Sequence, residues 1–380
     1  MIENTSMPSE SRNITVLIAP LDWGLGHATR CIPIIKELYK YTSHIIIAAS
    51  GLSKHLLQTE FPNAEFISLK GYNLTYPRYG KLFIFKISTQ IPKIIIRKYQ
   101  EQKQIRKLVK ARKIDLIISD NRPGIFHKSI YAVYITHQIT VKTGNTLLDR
   151  VASGLHQTVI KKFNECWVPD DEIHGLSGTL SHTSARNICQ KFIGPLSRMS
   201  FLQVPKVYDY CIILSGPEPQ RTILEEKIIS QLNDIKNKKK VLLVRGLPGE
   251  TKTLKVNSTI IIENHLTATK LNEALCASDI VISRCGYSTI MDLAKLRVPG
   301  ILIPTPGQAE QEYLGSYLTD KKYFLIRNQS NFSISEAIAS FRSGQYRLPE
   351  MNFEAFKETL SQTLQKVTST HDTDLPTLQK

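Results

Sequence analysis

The sequence predicts two doubly wound α/β lobes that face each other across a cleft, and three observations carry that expectation. The chain has 380 residues, too many for one ordinary core, since single domains mostly run to about 100–200 residues. Short β-branched runs alternate with helical patterns, which is the punctuation of parallel strands covered on both faces. The alternation stops at a stretch without periodicity and then starts again. Hydrophobic residues make up 42 % and charged residues 22 %, with 19 Gly and 18 Pro spread along the chain, which excludes disordered, collagen-like and low-complexity classes.

The first series opens with the strand ITVLIAP, the helix HATRCIPIIKELYKY, the strand HIIIAAS, a helix near LSKHLLQTE and the strand AEFISL. It resumes with the strands IDLIIS, YAVYIT, ECWVP and NICQKFIG. Within GPLSRMSFLQVPK, Pro195 and Pro205 bracket a segment without helical or strand period, read as the linker. The second series runs through YDYCIILS, TILEEKIISQL, KKVLLVRG, TIIIE, LNEALCA, DIVIS, STIMDLAKL, GILIP and AEQEYLGSYL. A helix near FEAFKETLSQTLQKV closes the fold, and TSTHDTDLPTLQK reads as a polar tail. The expected division is a first lobe at 12–195, a linker at 196–206, a second lobe at 207–345, a closing helix at 346–367 and a tail at 368–380. No internal repeat at solenoid spacing is present.

Composition narrows the function classes. Cys31, Cys166, Cys189, Cys211, Cys276 and Cys285 contain no CxxC pair, so neither zinc spacing nor a disulfide scaffold is indicated. The segment MIENTSMPSESRN lacks the pattern of a secretory signal. LFIFKISTQIPKIIIRK is interrupted by Lys86, Pro92 and Lys93, so no segment reaches the ~18 apolar residues of a spanning helix. A cytoplasmic protein is expected, with peripheral attachment to the inner face of the plasma membrane open. The net charge of +16 calls for an anionic partner. Between Arg78 and Lys113 stand 12 basic residues against Glu101 alone.

In doubly wound sheets, ligands sit beyond the carboxyl ends of the strands, where loops lead into helix N-termini. The first such loop, APLDWGLGHATR, brings Gly24, Gly26 and His27 to a helix start. Glycine lets a ligand approach the backbone and histidine exchanges a proton near neutral pH; a tight turn with a capping histidine is the competing reading. Thr29 stands where a dinucleotide-binding GxGxxG has its third glycine. SDNRPG offers Asp120, Asn121 and Arg122, and THQIT offers His137. Asp120 could orient a histidine or an acceptor hydroxyl, although an Asp-Asn pair before Pro-Gly is also ordinary turn chemistry.

In the second lobe, LSGPEPQRT presents Ser215, Gly216 and Gln220 between a strand and a helix, as a diphosphate-side loop would; a helix entry with Pro219 near the first turn is the competing reading. SRCGYSTIMDLAKLRVPGILIPTPGQAEQEYLG is the most informative stretch. Arg284, Gly286, Ser288 and Thr289 place cationic, backbone and hydroxyl groups at a helix N-terminus, which suits a diphosphate. Asp292, one turn further on, can accept hydrogen bonds from two vicinal ribose hydroxyls, each worth about 1.5–3 kcal/mol. Gln308, Gln311 and Glu312 add the polar density that sugar hydroxyls need; Asp292 as a first-turn carboxylate compensating the helix dipole, with the Gln/Glu set as solvated surface, is the competing reading.

This block and GLGHATR together resemble the nucleotide-sugar glycosyltransferases of the two-lobed GT-B fold, family 28 above all, typified by the bacterial peptidoglycan N-acetylglucosaminyltransferase. The resemblance implies transfer of a sugar from a nucleoside diphosphate-sugar, with UDP expected, to a hydroxyl acceptor such as a lipid-linked one. It implies Asp292 on the donor ribose, where relatives often carry Glu, and Gln311 with Glu312 on the donor sugar, where the family's pattern has two glutamines. His27 matches the acceptor-side histidine, although Asp22 and Trp23 replace part of the usual glycine-rich run. Ser215 would belong to the diphosphate loop and His265 to the base-reading loop, with Arg245 also on the donor side. His27, oriented by Asp120, is the expected base for an inverting displacement. The string DxD occurs only as Asp372-Thr373-Asp374 in the tail, so neither metal nor other cofactor is expected.

Residues 72–113 acquire a meaning in that light. Tyr72, Tyr76, Leu82, Phe83, Phe85, Ile87 and Ile94 to Ile96 interleave with lysines and arginines, as in segments that lie on anionic bilayers; one long helix with a solvated basic face is the alternative. Two other readings of the whole chain remain: a nucleotide-sugar hydrolase with water as acceptor, because GxGHxxR also resembles the first loop of such enzymes, and a nucleic-acid-binding protein. The second has the charge but no RNP, zinc-finger or helix-turn-helix signature.

Overall fold

The computed structural model describes residues 14–72, 89–182, 187–233, 239–252, 254 and 258–373. Tyr76, Leu82, Phe83, Phe85 and Ile87 of the basic segment, and Asp374 of the tail, lie outside them. In the first lobe the elements run β1 (Val16–Pro20), α1 (Gly26–Leu38), β2 (Ile45–Ala49), α2 (Gly51–Glu60), β3 (Glu65–Ser68), α3 (Ile91–Ala111), β4 (Leu116–Asp120), β5 (Tyr131–Ile135), α4 (Thr146–Ile160), β6 (Glu165–Val168) and β7 (Gln190–Phe192). The second lobe continues with β8 (Tyr208–Ile213), α5 (Gln220–Asn233), β9 (Val241–Val244), β10 (Ile260–Glu263), α6 (Ala268–Cys276), β11 (Ser278–Arg284), α7 (Tyr287–Leu296), β12 (Gly300–Ile303), α8 (Ala309–Asp320), β13 (Leu325–Ile326), α9 (Ile334–Ser343) and α10 (Ala355–Thr373).

Every strand pair is parallel. The first sheet has the order β3-β2-β1-β4-β5-β6-β7 and the second β10-β9-β8-β11-β12-β13. Both are doubly wound, and the order reverses between β1 and β4 in one lobe and between β8 and β11 in the other. A crevice forms at the carboxyl edge at each reversal. Register puts the end of β1 beside the end of β4, Pro20 opposite Asp120. The central strands are buried throughout, as at Val16–Pro20 and Leu116–Asp120, which is why their sequences carry no alternation.

The lobes share one apolar cluster that includes Ile34 and Ile35 of α1, Ile290 and Met291 of α7, and Leu360 and Leu364 of α10. Helix α10 crosses back to the first lobe, where Thr363 Oγ1 and Lys366 Nζ donate to the buried carboxylate of Glu165 at 2.9 and 2.8 Å. It continues to Thr373, through the start of the segment read as a tail. The linker is not loose, because Leu196 and Met199 are buried and Ser200 and Asn272 exchange two hydrogen bonds of 2.9 and 2.8 Å. Helices α4 and α9 and strand β13 have no counterpart in the sequence reading.

Candidate active site between the lobes

The N-termini of α1 and α7 meet where the two carboxyl edges face each other. Gly24 has φ +79° in the loop leading to α1, a conformation open to glycine at little steric cost. Gly26 has a different reason: Ser288 Oγ at the head of α7 donates to its carbonyl at 3.1 Å, and a Cβ at position 26 would lie 2.6 Å from that oxygen. Ser288, expected to face the donor, therefore clasps the two lobes together in this structure.

His27 follows at once on α1, with 14 % of its side chain exposed. Its Nδ1 lies 3.1 Å from Asp120 Oδ1 and 2.9 Å from Arg30 Nη2. Arg30, one turn along the same helix face, donates through Nε to Asp120 Oδ2 at 2.7 Å and through Nη2 to Oδ1. Arg30 is 2 % and Asp120 0 % exposed. Burial works to raise the Asp120 pKa, but the charges of Arg30 and His27 outweigh it and hold the carboxyl well below its ordinary range. For His27, burial and then Arg30 lower the pKa, against the opposing pull of Asp120. A neutral imidazole results at neutral pH. When its Nδ1–H is given to Asp120, Nε2 keeps a lone pair, and no residue among those described bonds to that atom.

The network continues across the lobes. Arg30 Nη1 lies 3.2 Å from His137 Nδ1, and His137 Nε2 lies 2.8 Å from Glu310 Oε1 on α8. Burial acts to raise the Glu310 pKa, and the hydrogen bond and charge of His137 overcome it, leaving it lowered. Tyr287 stacks on His137 with ring centroids 4.0 Å apart and donates to the Pro169 carbonyl at 2.9 Å. Asn121, φ +56°, accepts from Tyr134 Oη at 3.1 Å. Arg122 does not reach the cleft: it is 0 % exposed, paired at 2.8 Å with Glu101 and bonded to the Pro20 and Lys70 carbonyls. The acceptor-side expectation for Arg122 is corrected accordingly, because Glu101 draws it into the joint between α3 and the sheet.

On the donor side, Asp292 accepts from Ser197 Oγ of the linker at 2.6 Å. Burial raises its pKa to about 6, against the hydrogen bond from Ser197 and the charge of Arg198. Nε and Nη1 of Arg198 are buried without a hydrogen bond among the described residues, so a cation waits beside Asp292. Partial desolvation and then the charge of Arg198 lower the pKa of His265, which keeps a surface open to solvent. Thr305 Oγ1 and Gln308 Oε1, at the head of α8, are likewise buried without a partner; a Cβ on Gly216 (φ +99°) would lie 4.0 Å from Thr305 Oγ1. Buried orphans are rare in native proteins, and a polar ligand would answer these. Gln311 is turned to the Thr305 amide at 2.9 Å and Glu312 to the Gly307 amide at 2.7 Å. Ser215, Gly286 and Thr289 lie at their loop and helix head, each partly exposed.

Two arginines of the second lobe are held in part by protein groups. Arg284 is 1 % exposed and bonds to the Gln220 and Pro304 carbonyls at 2.6 and 3.5 Å; burial lowers its pKa to about 10. Its Nε is buried without a hydrogen bond among the described residues, like the orphans of Arg198, Thr305 and Gln308. Arg245 is held by Glu225 and by Asn264 Oδ1, the latter at 2.8 Å. Sequence reasoning passed over Arg30, Glu310, Tyr287, Ser197 and Arg198. The i, i+3 spacing of His27 and Arg30 was a usable signal for one of them; the others matter only because the lobes meet.

Among the described residues, no group of three or more His, Cys, Asp or Glu side chains is placed to hold a metal ion, and no helix is long and apolar enough to cross a membrane.

Two doubly wound lobes with facing carboxyl edges define the GT-B class, and the chain has that fold. Residues 212–367 match the model of the Glycosyltransferase family 28 C-terminal domain. Structural likeness extends over both lobes. MurG from Acinetobacter baumannii superposes with TM-score 0.51 at 11 % identity, over 94 % of this chain and 99 % of that one. The calicheamicin glycosyltransferase CalG4 gives 0.61 at 12 %, over 94 % and 95 %, and the spinosyn rhamnosyltransferase SpnG gives 0.61 at 13 %, over 94 % and 96 %. No curated protein matches in sequence.

Proposed function

We propose that the protein transfers a sugar from a nucleoside diphosphate-sugar, with UDP as the nucleotide, to a hydroxyl acceptor by an inverting displacement at the anomeric carbon without a metal. One observation carries the reading: His27, neutral and held through Nδ1 by a buried carboxylate, stands at the junction with a family 28 domain. Nε2 of His27 takes the acceptor proton as the hydroxyl attacks, a role worth about 10²–10⁴-fold. Asp120 orients the ring and stabilises the imidazolium that forms. On the donor side, Asp292 binds the ribose hydroxyls and Arg198 adds positive charge. Backbone N–H groups at the head of α7 and at Gly216 meet the diphosphate, whose charge grows as the bond breaks.

The acceptor is proposed to be lipid-linked, and α3 to bring the enzyme to it on the cytoplasmic face of the membrane. Helix α3 exposes Ile91, Ile95, Ile96 and Tyr99 among its lysines and arginines, and its one acidic residue, Glu101, is buried. The test is product analysis: UDP-sugars are incubated with a lipid-linked or soluble hydroxyl acceptor, and the products are weighed by mass spectrometry. A glycosylated acceptor together with UDP supports the proposal. Free sugar and UDP at the same rate with or without acceptor would make the protein a hydrolase.

A further inference from the structure

Helix α4 has the wrong face outward for a helix covering a sheet. Only Ser153 and Ile160 of its 15 residues are buried, while Leu147, Val151 and Leu155, spaced i, i+4, i+8, are 67 %, 55 % and 68 % exposed and Leu148 adjoins them. Such a stripe normally points to the core, and an exposed apolar patch rimmed by polar residues marks an interaction site. The helix is securely formed nonetheless. Asn145 caps it by accepting from the Leu147 and Leu148 amides at 3.0 and 3.2 Å, and Ile160 anchors its far end.

The surroundings identify the occupant. The one acidic residue of α4, Asp149, is occupied with the Thr143 amide at 2.6 Å and with Lys142. The exposed charges are Arg150 on the helix and Lys161 and Lys162 just past its end. Helix α3 lies on the same face of the sheet, since its Ile105 and the Ile160 of α4 share one apolar cluster. It also exposes apolar residues among cations with no exposed acid. Both helices are tied to the carboxyl edge of the sheet, where the cleft opens: α4 follows β5, and Glu101 of α3 accepts from the Gly124 amide at 3.1 Å, just past β4. A second copy of the chain would bring like charges together across a two-fold axis. An apolar stripe edged only by cations is complementary to an anionic lipid surface.

We infer that α4 is a membrane-inserting element, and that Leu147, Leu148, Val151 and Leu155 enter the headgroup boundary of an anionic bilayer beside α3, turning the cleft toward the membrane. The inference builds on the docking of α3 proposed above and is independent of the transfer chemistry. The experiment is co-sedimentation of the full chain with phosphatidylglycerol vesicles and with phosphatidylcholine vesicles. It compares wild type with Leu147→Ser/Val151→Ser/Leu155→Ser and with Ile95→Ser/Ile96→Ser, all exposed positions, after thermal melting has shown unchanged folding. Wild type is expected to sediment with phosphatidylglycerol only, and each variant to lose about tenfold or more in partitioning, as removal of inserted apolar side chains requires. Wild-type partitioning by the α4 variant, with loss in the α3 variant, would overturn the inference and leave α3 as the docking element. No sedimentation of wild type would overturn both. A wild-type dimer in analytical ultracentrifugation that becomes monomeric in the α4 variant would assign the stripe to a second copy instead.

Discussion

Asp120→Asn is the most informative single change in the first lobe. Among the described residues, Asp120 is the one anion directly bonded to Arg30 and His27, through Nε of Arg30 at 2.7 Å, Nη2 of Arg30, and Nδ1 of His27 at 3.1 Å. The amide keeps the shape but removes the charge, leaving Arg30 as a cation 2 % exposed whose remaining side-chain partners are the neutral imidazole of His27 at 2.9 Å and the ring of His137 at 3.2 Å. Removing one partner of a buried pair costs roughly 3–5 kcal/mol, because the remaining charge is uncompensated. Both tryptophans, Trp23 and Trp167, lie in the first lobe, so tryptophan fluorescence during urea unfolding reads that lobe. The expected loss is about 3–5 kcal/mol, and Asp120→Asn/Arg30→Met recovers most of it because the orphaned charge is gone. Nucleotide affinity, set in the other lobe, stays as in wild type. A loss below about 1 kcal/mol, the size of an exposed ion pair, or a double variant no more stable than the single one, would refute the reasoning.

Other outcomes follow from the same site. Asp292, with its pKa raised to about 6 by burial, accepts ribose hydroxyls only when ionised, so nucleotide affinity measured by calorimetry rises as pH goes from 5 to 7, and Asp292→Asn flattens the profile. The raised value also means that the folded state binds this proton more tightly than the unfolded one; stability contributed by Asp292 is present below the ordinary carboxylate range and is lost as pH rises to about 6. His27→Ala leaves nucleotide binding intact and slows transfer by about 10²–10⁴-fold. The acid limb of the wild-type rate profile falls below pH 6.5, the ordinary histidine value, because burial lowers that of His27; a limb above it would contradict the described surroundings of the ring. Glu165→Ala orphans the donors of Thr363 and Lys366, and limited proteolysis should then release α10 first.

The architecture was legible because parallel strands buried on both faces, such as Val16–Pro20 and Leu116–Asp120, cannot avoid being apolar runs between helices. Helix α4 escaped notice for the opposite reason: its leucines face outward, so they do not mark a buried face in a sequence read for core-facing stripes. Helix α9 did carry a signal, with Ser333 accepting from the Glu336 amide and Ile334, Ala337 and Ile338 buried. His27, Asp120 and His137 could be found singly, since Asp120 ends a strand and the two histidines follow one. Their connection could not, because Arg30 joins them from within a helix and Glu310 reaches them from more than 170 residues away in the chain.

The central claim, that the second lobe binds the nucleotide of a sugar donor, is tested most directly by calorimetric titration of UDP, ADP, GDP, CDP and TDP without added metal, into wild type and into Asp292→Ala. The account predicts a clear preference for UDP, weakened by at least about tenfold in the variant, as loss of a charge-assisted hydrogen bond requires. No binding of any nucleoside diphosphate, or equal UDP affinity in the two proteins, would contradict it.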